Sequence, residues 1–256
     1  MTRCISVLNF KGGTGKTTTV VNLGMALALR GNRVLALDFD PQGSVAEWLG
    51  MPTDRRIDDV LVGKKPWFDQ VTRARVRFDI IAADRSLGVT EQNLLAEEVP
   101  ASALAEHLYD MRDGGYDYIL IDCAPYVSLL SECALLLSSE VIVPVSMEYL
   151  ALVGARDVII EVLRARRLSE GNSAQIALIV PSFYYDRHIK SRETVAMLSN
   201  RFPGMVSEPI RASVKLSEAP SHQRTIFEYD PDGTGSQDYA MLAEQIVARG
   251  AVYGSG

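Results

Sequence analysis

The feature that most constrains this chain is a run of small and cationic residues near its start, Lys11-Gly12-Gly13-Thr14-Gly15-Lys16-Thr17-Thr18. An apolar run, Cys4-Ile5-Ser6-Val7-Leu8, precedes it, and a helical pattern from Thr19 to Leu27 follows. Strand, glycine-rich turn and helix is the setting of a phosphate-binding loop. Three glycines let the backbone curl with its N–H groups facing inward, and no Cβ obstructs a phosphate. The helix behind the turn adds free N–H groups and the positive end of its dipole. Lys16 is then expected to reach the β- and γ-phosphates, and the Thr17 hydroxyl to take a place on Mg2+.

The chain has 256 residues, 47% of them hydrophobic and 23% charged, with a formal net charge of -6. That size holds one α/β domain with a large core, or two small ones. No repeat, low-complexity tract or Pro/Gly/Ser-rich linker divides it, so a single domain over residues 1–256 is expected. The acidic balance excludes a protein that is basic all over, and any nucleic-acid binding must come from a local patch. Cys4, Cys123 and Cys133 lack metal-ligand spacing and read as reduced thiols of a cytoplasmic protein. No apolar run approaches the roughly 20 residues of a membrane span. With a strand starting so close to Met1, neither a signal peptide nor an N-terminal DNA-binding module is expected.

Further along, Arg33 to Asp38 reads as a buried strand ending in Asp38-Phe39-Asp40-Pro41-Gln42-Gly43. Two carboxylates two apart at a strand end point the same way, toward the crevice where α/β sheets bind ligands. From Ser44 to Arg77 the chain is irregular and charged, with a short helix over Val45 to Leu49. Strands are expected over 78–83, 116–122, 141–145 and 174–180, with a short one over 206–210. Helices are expected over 90–97, 102–111, 150–168, 190–202 and 237–247, the last with Tyr239, Leu242, Ala243, Ile246 and Val247 on one face. The alternation means an α/β fold, a mainly parallel twisted sheet with helices on both faces. Asp122 closes its strand in the form of a Walker B carboxylate, placed to reach a metal through a water. The alternative for Asp38, Asp40 and Asp122 alike is to cap a turn or helix.

The loop departs from G-x-x-x-x-G-K-[ST]: Phe10 stands at the first glycine position, and a second lysine, Lys11, precedes Gly12 and Gly13. It resembles the deviant Walker A loop, K-G-G-x-G-K-[ST], of the ParA/MinD/NifH superfamily of P-loop NTPases. Ile210-Arg211-Ala212-Ser213-Val214-Lys215-Leu216-Ser217-Glu218-Ala219-Pro220-Ser221-His222 is similar to the I-P-R-N-V-R-L-S-E-A-P-S-H stretch of chromosomal ParA (Soj) proteins. Tyr229-Asp230-Pro231 and Gly235-Ser236-Gln237-Asp238-Tyr239 match further signals of that branch. Two departures stand out: Ile210 runs straight into Arg211 where the family has proline, and Asp122-Cys123-Ala124-Pro125 replaces D-x-P-P.

The resemblance implies a slow ATPase switch using ATP and Mg2+. Lys11 reaches across a homodimer to the partner's nucleotide, Asp40 orients the attacking water, and Asp38 lies near the Mg2+ shell with Thr17 and Asp122. The loop residues Lys11 through Thr18 hold the phosphates. By family position, Pro181-Ser182-Phe183 and Pro209-Ile210-Arg211 surround the adenine, ordinary strand-end turns being the alternative. No N-K-x-D or T-K-x-D sequence is present, which favours ATP over GTP. The ATP-bound dimer is expected to bind DNA without sequence preference, placing the protein on the nucleoid. A ParB-like or other cargo adaptor stimulates hydrolysis. Arg187, Lys190 and Arg192 with His188, then Arg211, Lys215 and Arg224, are the candidate DNA contacts, against a solvated salt-bridged face. Arg164, Arg166 and Arg167 are also clustered, though cations favour helix C-termini.

Other branches fit less well. A MinD-like membrane switch needs a basic amphipathic tail, and Ala248 to Gly256 is short and nearly uncharged. A NifH-like reductase needs cysteines facing a shared cluster, which Cys123 and Cys133 are poorly spaced to supply. A ligase of the dethiobiotin synthetase type shares the loop without the Ser-Glu-Ala-Pro-Ser-His stretch.

Overall fold

A computed structural model describes residues 2–147, 151–168 and 174–253. In chain order the elements are β1 (Arg3–Val7), α1 (Lys16–Leu29), β2 (Val34–Phe39), α2 (Ser44–Leu49), α3 (Ile57–Leu61), β3 (Thr72–Arg75) and β4 (Phe78–Ile81). They continue with α4 (Ser86–Ala96), α5 (Ala101–Leu108), β5 (Tyr118–Cys123), α6 (Leu129–Leu137), β6 (Glu140–Ser146), α7 (Ala151–Leu168), β7 (Gln175–Ser182) and α8 (Ile189–Arg201). The last are α9 (Val214–Glu218), α10 (Ile226–Tyr229) and α11 (Thr234–Tyr253).

The strands form one seven-stranded sheet in the order β3-β4-β2-β5-β1-β6-β7, parallel except for β3 at the edge. Central strands are buried on both faces, and their side chains sort with period two. Leu35, Leu37, Phe39, Ile119 and Ile121 join the core under α4–α7. Val34, Ala36, Tyr118 and Leu120 join the core under α1, α2 and α11. The register sets Val7 and Asp38 each beside Asp122, so β1, β2 and β5 end together where the glycine loop leaves β1. That common edge is the crevice in which open α/β sheets bind ligands.

Close packing of α1 on the sheet requires a small residue at Gly24, where an added Cβ would lie 2.7 Å from the Phe78 ring. Phe78 is fully buried and has nowhere to retreat. Gly24→Val is therefore expected to lower stability by about 2 kcal/mol, overpacking outweighing a small gain in helix propensity. A denaturant midpoint equal to that of the wild type would contradict this packing.

Several expectations need correction. The stretch over 44–77 is more ordered than its charge suggested, holding α3, a 3-10 turn at Trp67–Gln70 and β3. The expected strand over 206–210 is reduced to one isolated bridge, Val206 with Ile179, with a second, Arg211 with Tyr184, just beyond it. Val247 is 36% exposed instead of lying on the buried face of α11. The helix α6 was not anticipated at all. Leu150 lies outside the described residues, as do the side chains of Arg166 and Arg167.

Candidate functional site

The glycine loop needs backbone that only glycine adopts easily. Gly13 and Gly15 have φ of 69° and 92°. Gly15 is also the N-cap of α1, so the helix opens directly off the turn. A Cβ built on Gly12 or Gly13 would meet nothing within 4 Å, leaving open space above the loop for a bulky anion. The loop is braced from below: buried Asn9 donates to the Pro144 carbonyl at 2.7 Å and accepts the Lys11 N–H at 3.0 Å.

Lys16 is 8% exposed, and its Nζ donates to the Lys11 carbonyl at 3.4 Å. Burial pulls its pKa down, while Asp122 and Asp40 push it back up. A buried ammonium with so little compensation is set to welcome phosphate oxygens. Thr14 donates to the same Lys11 carbonyl, and Thr19 donates to the Gly15 carbonyl at 2.7 Å.

Across from the loop, the Thr17 hydroxyl donates to Asp122 Oδ2 at 2.6 Å. Asp122 Oδ1 is buried without a hydrogen-bond partner. An orphaned carboxylate oxygen beside a threonine hydroxyl fits Mg2+, which takes few protein oxygens and completes its shell with water and phosphate. Burial is the main force raising the Asp122 pKa from 3.8 to about 7. Only the folded chain holds that proton between about pH 4 and 7, so the stability it contributes is full at low pH and lost as pH rises through 7. Asp122→Asn should thus raise the thermal midpoint of the nucleotide-free protein above pH 7 by about 2–4 °C and flatten its fall from pH 5. Equal midpoints at every pH would contradict a strained carboxylate.

Asp38 is fully buried, and burial with the Asp122 charge holds its pKa well above the carboxylate range. Its Oδ1 accepts the Asp40 N–H at 3.0 Å and its Oδ2 the Val45 N–H at 3.1 Å. It therefore ties the loop after β2 to the first turn of α2. Asp40 is half-buried and accepts the Gln42 N–H at 3.0 Å.

Beside the loop lies a cavity of about 350 Å3 whose wall includes Thr18, Trp48, Phe183, Tyr185, Ser213 and Val214. Phe183 holds a left-handed φ of 57°, and its ring reaches within 3.7 Å of where a Gly15 Cβ would be. Strain of that kind collects at ligand sites. Of the residues read from the sequence as surrounding the base, Phe183 lines this cavity, joined by Thr18 of the glycine loop. Pro209, Ile210 and Arg211 do not; the wall is built one step later, from Ala212 onward. Ile210 is buried in the core, and Arg211 forks onto Asp238 at 2.6–3.1 Å. Trp48 and Tyr185 were missed, since nothing in their local sequence marks them.

Two segments that carry basic residues are joined by backbone pairing next to this cavity. Tyr184 N–H donates to the Ile210 carbonyl at 3.1 Å, and the Ala212 N–H to the Tyr184 carbonyl at 2.8 Å. The exposed Arg187, Lys190 and Arg192 follow one side of this pairing along the chain, and Lys215 follows the other. Lys215 pairs with Glu218 at 3.2 Å and lies over the Tyr229 ring, and Arg224 is exposed. Cys4, Cys123 and Cys133 are buried, and burial raises all three thiols, Cys4 to about 12.

A parallel sheet with a glycine loop, a buried lysine and an unsatisfied carboxylate at its strand ends defines a P-loop nucleoside triphosphatase. A protein family described as "AAA domain" matches residues 2–173. The chromosome partitioning protein ParA of Caulobacter vibrioides is 35% identical over 253 residues, 96% of this chain and 94% of that protein. The chromosome-partitioning ATPase Soj of Treponema pallidum is 34% identical, covering 97% of this chain and 98% of its own. Among solved structures, cobyrinic acid a,c-diamide synthase of Mycobacterium smegmatis, with bound ATP analog and magnesium, superposes with a TM-score of 0.82 at 26% identity. It covers 96% of this chain and 95% of its own. The chain belongs to the ParA/MinD superfamily, a family of partitioning and positioning ATPases.

Among the described residues no helix is long and apolar enough to cross a membrane.

Proposed function

We propose that residues 1–256 form one ATPase domain that binds ATP with Mg2+, pairs with a second copy, and in that state holds DNA without sequence preference. Lys16, the loop amides and the hydroxyls of Thr14, Thr17 and Thr18 hold the phosphate chain. Thr17 and Asp122 hold the metal, with Asp38 behind them fixing the loop that carries Asp40. Bound Mg2+ neutralises charge on the phosphates and makes the terminal one a better electrophile. Asp40 orients a water and takes its proton. Lys11 of each copy serves the nucleotide of the other, offsetting the repulsion between two phosphate chains brought together. Loss of the terminal phosphate removes part of that attraction, so hydrolysis loosens the pair. A ParB-like or other cargo adaptor sets the rate, and the switch positions its cargo on the nucleoid.

The observation that supports the DNA reading is the backbone pairing of Tyr184 with Ile210 and Ala212, from which one segment runs on into the exposed Arg187, Lys190 and Arg192 and the other into Lys215. Two copies double those cations, enough to hold a polyanion despite the net charge of -6. DNA retention is expected to require ATP and to fall steeply with salt. Arg187→Glu or Lys215→Glu should weaken retention at every DNA sequence, with ATP affinity unchanged. The salt slope should drop by about 1 for each DNA phosphate that is no longer neutralised. DNA retention insensitive to both substitutions would move the binding face elsewhere.

The likeness to a diamide synthase supports a second reading, a small-molecule ligase on the same fold. The two separate cleanly, since a ligase would turn over ATP only with its acid substrate and would ignore DNA.

A further inference from the structure

Helices α7 and α8 leave a groove of about 580 Å3 between them, lined by Arg156, Ile159, Met197, Asn200, Arg201 and Phe202. None of these residues belongs to the nucleotide site or to the basic residues proposed to meet DNA. The inward face of α7 is already spent on the core through Ala155, Val158, Val162 and Ala165. Ile160 and Leu163, in the same turns, are left 52% and 47% exposed, and Met197 of α8 is 48% exposed. Ile159 and Leu163 are four apart, so they continue one apolar row along the helix. Single exposed apolar residues need no explanation, but a row of them beside a concave floor marks an interaction surface.

The charge of the groove says what kind of partner suits it. Its lining holds two guanidinium groups and no carboxylate. Among the described residues Arg156 pairs only with its neighbour Asp157, at 2.9 Å in an exposed position where such pairs are weak. Arg201 makes no ion pair among the described residues, and it stands at the last turn of α8 beside half-buried Phe202.

We propose that the α7–α8 groove docks an acidic amphipathic helix of a partner protein. Its apolar side chains would cover Ile159, Met197 and Phe202, and its carboxylates would meet Arg156 and Arg201.

The test uses the full chain and two synthetic fluorescein-labelled helical peptides of about 18 residues. One carries leucine at i, i+4 and i+7 spacing with glutamate on the remaining surface; the other has lysine in place of each glutamate. The acidic peptide should bind the wild type in low salt and the lysine peptide should not. The double variant Arg156→Glu/Arg201→Glu should lose about 10-fold in affinity for the acidic peptide and gain binding of the lysine peptide. Unchanged ATP affinity of the double variant shows that it is folded. The proposal is overturned if neither peptide binds, if both bind alike, or if the charge reversal leaves the preference unaltered. It is also overturned if the wild type self-associates without nucleotide and the double variant does not, which would make a second copy the occupant.

Discussion

Lys16→Ala is expected to abolish nucleotide binding, weakening ATP by about 100-fold or more while leaving the fold in place. The Lys16 side chain is buried with only a 3.4 Å hydrogen bond to the Lys11 carbonyl, so truncation removes little that the apo fold depends on. Its burial without a full counter-ion already lowers its pKa, which is the signature of an ammonium held ready for an anion. Hydrogen bonds to charged groups are each worth roughly 1.5–3 kcal/mol, and a lysine bridging two phosphates makes more than one. Each 1.4 kcal/mol is tenfold in affinity, so two such bonds give a loss of about 100-fold or greater. Calorimetric titration with ATP and Mg2+ measures it, alongside a circular dichroism melt to show the variant is folded. Affinity within a few-fold of the wild type would remove the glycine loop from the site.

Asp40→Ala should separate binding from turnover. Asp38 has both oxygens taken by backbone N–H groups and is fully enclosed, whereas Asp40 is half-buried at the mouth of the same strand end. The loop holding Asp40 is fixed from Asp38, so removing the Asp40 carboxylate need not disturb the phosphate site. A positioned general base contributes about 10²–10⁴-fold, and turnover is expected to fall by at least the lower figure. ATP affinity should stay within a few-fold, and the pair of subunits should accumulate on DNA because the step that loosens it is blocked. Phosphate release and DNA retention, measured on the same preparation, give the answer together. Wild-type turnover would take Asp40 out of the reaction, and lost ATP binding would make it a structural residue.

Much of the sheet was legible because its strands are buried on both faces and read as apolar runs closed by carboxylates. The glycine loop was legible for the same reason in reverse: Gly13 and Gly15 stand at left-handed φ that residues with a Cβ adopt only with strain. The helix α6 escaped because Leu129–Leu137 is apolar almost all round, with no polar face to give a 3.6 period. Its start was signalled only by Ser128, which caps the Ser131 N–H, with serine where a capping box usually has glutamate. The strand β3 escaped for the opposite reason. Thr72–Arg75 is an edge strand with two arginines, polar enough to pass for loop.

The site was legible in its chemistry and less so in its walls. Lys16 and Thr17 are marked by residue type in the opening turn of α1, and Asp122 by its place near the end of β5. The cavity beside the glycine loop depends on Trp48 and Tyr185, brought in by α2 and by the turn after β7, and such long-range neighbours leave no local mark. The role of Asp38 also needed geometry. Sequence put it near the metal, and its hydrogen bonds add that the same carboxylate ties the next loop to α2.

Pairing of two chains around two nucleotides is the claim from which the switch, the DNA affinity and the part given to Lys11 all descend. Sedimentation velocity of the Asp40→Ala protein with ATP and Mg2+ tests it most directly, with ADP as the comparison. The account predicts a particle of twice the chain mass with ATP and a single chain with ADP. A single chain in both, at concentrations where ATP is bound, would contradict it and leave a nucleotide-binding α/β fold without a clamp.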